Sequence, residues 1–268
     1  MKAGRSPEAI TRAQAGVTAA PADADRWFTL GLAQADVDVD GAIDSFQRAI
    51  ALDPRHALAR YNLGLVLFHA DRARAALESL SAALAIEPKP EVQYTRGIIL
   101  WHQGDLDAAV MALADATAAK PDYFDAFLAL GTVLSARGDL KGSVAALERA
   151  IRLRPDLPAP HIVSARTLTA AGDDARARRE SAEAERLRTL SDNSQKAATL
   201  TAAGVQRFDG GDAGGAADCF RRAIQTFDRF APAHYQLGRA LDRLGQHDAA
   251  RKEFARAQQL NPALVPPR

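Results

Sequence analysis

Small and large apolar positions along this chain follow two periods, one of a helical turn and one of about thirty-four residues. A small residue recurs at Gly31, Gly64, Gly97, Gly131, Ala165, Gly204 and Gly238, spaced 33, 33, 34, 34, 39 and 34 residues apart. A series of alanines, Ala49, Ala83, Ala116, Ala150, Ala184, Ala223 and Ala257, keeps nearly the same spacing. Five residues beyond these stand Pro54, Pro88, Pro121, Pro155 and Pro262, with Thr189 and Asp228 in the two remaining slots. The second half of each unit carries small, large and small residues at offsets of four and three, as in Ala76, Leu80, Ala83 or Ala216, Phe220, Ala223 or Ala250, Phe254, Ala257. Those offsets fall on one helical face. The first half ends near Gly104-Asp105, Gly138-Asp139, Gly172-Asp173 or Gly211-Asp212. Glycine closes a helix in the left-handed conformation, and aspartate caps the next one. Proline stops the second helix. The pattern predicts seven units of two short helices each, a repeat architecture.

The units resemble tetratricopeptide repeats, whose pattern is W-x₂-L-G-x₂-Y…A-x₃-F…P. Repeat one reads Trp27-x₂-Leu30-Gly31, then Ala42, Phe46, Ala49 and Pro54. Repeat two has Leu63-Gly64, Ala76, Leu80, Ala83 and Pro88, and repeat seven has Leu237-Gly238, Ala250, Phe254, Ala257 and Pro262. Repeat five departs most, with Ser164-Ala165, Ser181 and Thr189 in the marked slots. The resemblance implies an all-α fold, a right-handed α-solenoid of stacked helix-turn-helix units. Residues 24–190 would form repeats one to five and residues 197–264 repeats six and seven, with 265–268 a tail. The stretch from Ala175 to Leu190 has no breaker, so its helix should run long. Ser191-Asp192-Asn193-Ser194 then reads as a polar turn, making 191–196 either a linker or hinge, or a longer connection inside one solenoid. In residues 1–23, Ala9, Ala13, Gly16 and Pro21 fall at second-helix offsets, and Ser6-Pro7 fits that helix's start. This segment reads as half a repeat. The end of repeat seven lacks a polar cap, which implies self-association or a continuation.

In this family the concave surface built from the first helices commonly holds a peptide or a partner helix. Counted from the small residue, the slots at three before, one after and four after should face it. In the first four repeats they hold Phe28, Tyr61, Tyr94 and Leu128; Leu32, Leu65, Ile98 and Thr132; and Ala35, Phe68, Trp101 and Ser135. Asn62, His69 and His102 border the same stripe. Aromatic anchors dominate binding energy when a partner buries them, so the stripe is the candidate site for a protein or peptide partner. Some family members clamp a terminal carboxylate with Lys and Asn on successive helices. Here Asn62 matches, but Phe28, Leu32, Glu91 and Thr95 occupy the other positions. The asparagine ladder of the O-linked N-acetylglucosamine transferases is reduced to Asn62 alone.

Composition narrows the remaining chemistry. There are 34 basic and 33 acidic residues for a net charge of +1, and one cysteine. Balanced charge removes the footprint of a dedicated nucleic-acid binder. A lone Cys219 permits no intramolecular disulfide or cysteine-based zinc cluster. No apolar run is long enough to span a membrane, and the N-terminus lacks a signal-peptide core. Asp36-x-Asp38-x-Asp40-Gly41 imitates the start of a calcium loop, because a hard cation wants several oxygens. The closing position is Gln47, which supplies no carboxylate, and the same aspartates fit a capped turn. His69 and His102 occupy equivalent slots without a third ligand. The sequence carries no phosphate loop, dinucleotide fingerprint or nucleophile elbow, and no cofactor is expected. It reads as a non-enzymatic scaffold or adaptor, or as the recruiting arm of a larger enzyme or assembly.

Overall fold

The computed structural model describes residues 7–266, and within them the chain is entirely helical. Helix α1 spans Pro7–Ala19. Five pairs of first and second helices then begin with α2 (Ala24–Gln34) and α3 (Val39–Leu52), α4 (Ala57–His69) and α5 (Ala73–Ile86), α6 (Pro90–His102) and α7 (Leu106–Ala119), and α8 (Phe124–Arg137) and α9 (Leu140–Leu153). Next come α10 (Pro158–Ala170) and α11 (Asp174–Asp209), then α12 (Ala213–Thr226), α13 (Ala231–Arg243) and α14 (His247–Leu260). The chain forms two compact units. One holds residues up to Pro155 together with Ala159–Glu180; the other holds Asp156–Pro158 with Ser181 onward. Each is a stack of antiparallel helix pairs, the α-solenoid arrangement. In the first unit α1 packs on α2, α3 on α4, α5 on α6 and α7 on α8; in the second, α12 packs on α13 and α13 on α14. Ser6, the residue read as the cap of α1, lies outside the described residues.

The recurring small residue is where the two helices of a pair come closest. A Cβ placed on Gly131 would sit 2.6 Å from Leu147 Cγ, and on Gly64 2.8 Å from Leu80 Cγ. Gly31 meets Phe46 in the same way, Gly204 meets Phe220 and Gly238 meets Phe254. The large side chains that fill the space, Phe46, Leu80, Leu113, Leu147 and Phe220, are fully buried. Flanking alanines such as Ala76 and Ala83, or Ala216 and Ala223, are buried beside them. Full burial of one such side chain stabilises by about 1.5–3 kcal/mol. The contact therefore holds each pair together and also fixes its register. Repeat five differs on both sides: Ala165 already carries a Cβ, and Ser181, in the slot of the large residue, is exposed.

The turns follow from capping. Asp38, Asp105, Asp139 and Asp212 accept backbone N–H bonds at the starts of α3, α7, α9 and α12. Gly138 closes α8 at φ +91, and Gly245 takes the same left-handed conformation in repeat seven, where no Gly-Asp pair announces it. In repeat two the slot is held by Asp71 at φ 59. Its N–H still bonds to Phe68 O, and Arg72 N–H to Leu67 O. Aspartate tolerates this region, at a cost glycine escapes.

The polar turn expected at Ser191-Asp192-Asn193-Ser194 is not formed; these residues lie inside the 36-residue helix α11. No proline or glycine occurs between Asp174 and Ala203. Ser, Asp and Asn lose only fractions of a kcal/mol in a helix interior. Ser191 and Asp192 simply face solvent. The second helix of repeat five and the first of repeat six are thus one continuous element.

A buried His–Glu link also escaped the sequence reading. His161 Nδ1 lies 2.6 Å from Glu180 Oε2, and His234 Nδ1 lies 2.6 Å from Glu253 Oε2. Each histidine sits four residues before the small residue of its repeat, on the first helix, and each glutamate is on the second. His234 Nε2 is also 2.8 Å from Asp228 O, so this ring ties the helix pair to the preceding turn.

Two substitutions test these contacts by denaturant unfolding. Gly131→Ala gains up to about 1 kcal/mol of helix propensity but forces a branched Leu147 aside, which costs roughly 1–3 kcal/mol. The expected outcome is a less stable protein. Asp71→Gly releases the left-handed strain and should raise stability by about 0.5–1 kcal/mol; a loss of stability would contradict the turn geometry.

Candidate functional site

The glycine contact turns one side of α2, α4, α6 and α8 toward the second helices, where Leu63, Leu67, Ile99 and Leu130 are buried. Slots three before, one after and four after the small residue fall together on another face. There Phe28, Leu32, Tyr61, Asn62, Leu65, Phe68, Tyr94, Ile98, Trp101 and Leu128 are half-buried, while His69 and His102 are exposed. Half-burial means that each ring packs its base on neighbours and leaves an edge to solvent.

Several of these residues touch their neighbours. The Phe28 ring centre lies 5.9 Å from that of Phe46 and 4.8 Å from that of His56. Phe68 lies 5.7 Å from His102 on the next first helix. The Tyr61 hydroxyl is 3.4 Å from Thr95 Oγ1. Asn62 donates its amide to Leu58 O of its own helix at 2.8 Å. A hollow of about 260 Å³ opens between α4 and α6, lined in part by Leu58, Tyr61, Ala83 and Val92 with Glu87, Lys89 and Glu91. Leu58 is exposed at its mouth.

Three participants stood outside the sequence reading. Tyr123, just ahead of α8, packs 5.2 Å from Tyr94. Lys120 Nζ lies 4.8 Å from the Tyr123 ring centre and 3.0 Å from Glu91 Oε1. Asp125, in the first turn of α8, completes the group. The available signal was the residue two beyond the closing proline: His56 after Pro54 packs on Phe28, as Tyr123 after Pro121 packs on Tyr94.

The electrostatics follow from this packing. Glu91 is held below the usual carboxylate range by the N–H at the start of its own helix and by Lys120. Burial pushes the Tyr94 phenol up, with Asp125 and Tyr61 adding to it. Burial also raises Tyr123, reinforced by Tyr94, Glu91 and Asp125.

Two aspartates of the calcium-like triplet have partners within the chain. Asp38 accepts from Gly41 N–H and from Gln34 Nε2, both at 3.0 Å, and Asp40 pairs with Arg72 at 3.5 Å. Among the described residues no three His, Cys, Asp or Glu side chains gather where they could hold a metal ion. Cys219 is half-buried and free. No helix among the described residues is long and apolar enough to cross a membrane.

The second unit covers one of the equivalent slots itself, while Tyr235, in the slot of Tyr61 and Tyr94, is half-buried as they are. Phe208, in the slot of Phe68 and Trp101, is buried. The guanidinium groups of Arg239 and Arg243 lie 4.9 and 5.1 Å from its ring centre.

Against known proteins, tetratricopeptide repeat profiles match residues 38–91, 94–158 and 231–264. No curated protein matches by sequence. Among solved structures, the chain is similar to MamA at 24% identity, over 56% of this chain and 89% of that one, with a TM-score of 0.55. It is similar to YrrB, described as a TPR protein with an unusual peptide-binding site, at 17% identity over 67% and 93% with a TM-score of 0.60. MamA from Desulfovibrio magneticus RS-1 aligns at 17% identity over 62% and 94%, with a TM-score of 0.58. At these identities the likeness is one of fold.

The raised phenols give a direct check. A phenol whose folded pKa lies above the unfolded 10.0 contributes stability fully present below pH 10, lost as pH rises through the folded value. Absorbance titration should show Tyr94 and Tyr123 ionising late, together with loss of structure above pH 10, and Tyr123→Phe should remove one late step. The lack of any late-ionising phenol would contradict the packing.

Proposed function

The chain belongs to the tetratricopeptide repeat family, and on that premise we propose that it is a non-catalytic interaction scaffold that takes a peptide or helix of a protein partner on the first-helix face of repeats one to four. The observation carrying this reading is the row Phe28, Tyr61, Phe68, Tyr94 and Trp101, half-buried and left open in the first unit. The equivalent Phe208 of the second unit is covered by that unit's own arginines. Large rigid rings offer contact area at low conformational cost, which is why they concentrate binding energy. The absence of phosphate loops, dinucleotide fingerprints and nucleophile elbows from the sequence, and the described peptide-binding site of YrrB, favour binding over catalysis.

The test is to select peptides from a displayed random library on the full chain. The triple variant Tyr61→Ala, Tyr94→Ala, Trp101→Ala should then lose at least tenfold in affinity while keeping its helical circular dichroism. Unchanged affinity would place the binding face elsewhere.

A further inference from the structure

We propose that the occupant of this face is a basic segment: a peptide that sets a Lys or Arg side chain against Asp125 and the Tyr94–Tyr123 ring pair, with an apolar residue in the hollow beside Tyr61. This deepens the groove reading above and rests on it.

The carboxylates of this face recur at one slot of the repeat. Six residues before the small residue, on the edge of the same helical face, stand Asp25, Glu91 and Asp125, with the exposed Leu58 in repeat two. Repeats five to seven hold Ala159, Ala198 and Pro232 there. Carboxylates in a first turn favour a helix N-terminus anyway, but that holds for every first helix and does not explain their confinement to the aromatic half. The arginines of these helices stand off the face by helical period. Arg26 pairs with Asp23, and Arg60 donates to Pro54 O. Arg96 falls on the far side of α6. Of the three carboxylates, Glu91 is taken by Lys120 and Asp25 faces His56, which leaves Asp125 for a partner.

The protein already places a cation of its own in this environment. The Lys120 ammonium sits between the Glu91 carboxylate and the Tyr123 ring. In repeat one, His56 Nε2 lies 3.3 Å from Asp25 Oδ1 while its ring packs on Phe28. Both places bring a carboxylate and an aromatic ring to one basic side chain, and around the Lys120 ammonium this is the combination that binds a partly desolvated cation. Asp125 is exposed, has no ion-pair partner among the described residues, and stands in the first turn of α8 two residues after Tyr123, whose ring packs on Tyr94. It is a carboxylate beside a ring pair with no cation of its own. The neighbouring hollow is apolar at its base, where Ala83 and Val92 are buried, and suits an aliphatic or aromatic side chain.

The experiment uses the full chain and a displayed random peptide library, followed by affinity measurements on a selected synthetic peptide. Selected sequences should pair Lys or Arg with a large apolar residue. Asp125→Asn should weaken the chosen peptide about tenfold, and affinity should fall with added salt. Replacing the peptide's basic residue by Gln should abolish the effect of Asp125→Asn. Selection of acidic or neutral peptides that Tyr94→Ala blocks but Asp125→Asn does not would overturn the basic-partner inference and leave the groove reading standing. Peptides indifferent to the aromatic triple variant, or no selected peptide at all, would overturn both.

Discussion

Everything in this fold depends on how closely the two helices of a repeat approach. A glycine on the first helix leaves room for one large side chain of the second, and a Cβ at that point would stand less than 3 Å from it. Because the gap is filled by Phe46, Leu80, Leu113 or Leu147 at zero exposure, the pair can neither slide nor rotate without emptying a buried site. Register along each helix is set in this way, and so is the direction in which its remaining faces point. The site inherits its geometry from that constraint. Phe28, Tyr61, Tyr94 and Trp101 lie one helical turn from the glycine, rotated only part-way round the helix from it, so the contact that seats the glycine also fixes where these rings emerge.

Units of this kind bury their first-helix face only partly, since adjacent first helices meet along their edges. The first unit leaves a row of ring edges and a shallow hollow. The second covers the Phe208 slot of that face with Arg239 and Arg243. Two repeats of one family can therefore share their packing and differ in what they offer a partner.

Much of the fold was legible because its signals are local and repeated. Helix pairs, their breaks at proline, and the aspartate caps all follow from residues within one unit of sequence. The polar run at Ser191–Ser194 misled because polar residues end a helix only when the backbone has reason to turn, and no glycine or proline supplies one. The left-handed Asp71 hid because aspartate also serves as an ordinary cap. Half of the candidate site was legible as slots on the first helices. Tyr123 and Lys120 were not, since they lie in a turn and reach the preceding helix across the repeat boundary. The His161–Glu180 and His234–Glu253 links, nineteen residues apart in each case, were hidden by the same kind of non-local pairing.

The central claim is that fixing the helices through the glycine contact leaves the aromatic face of repeats one to four free for a partner. Side-chain NMR of the full chain, titrated with a library-selected peptide, tests it most directly. The account predicts shifts concentrated on the rings of Tyr61, Tyr94, Tyr123 and Trp101, with the resonances of Phe46 and Phe220 unmoved. Shifts confined to second-helix residues, or to α12–α14, would contradict it.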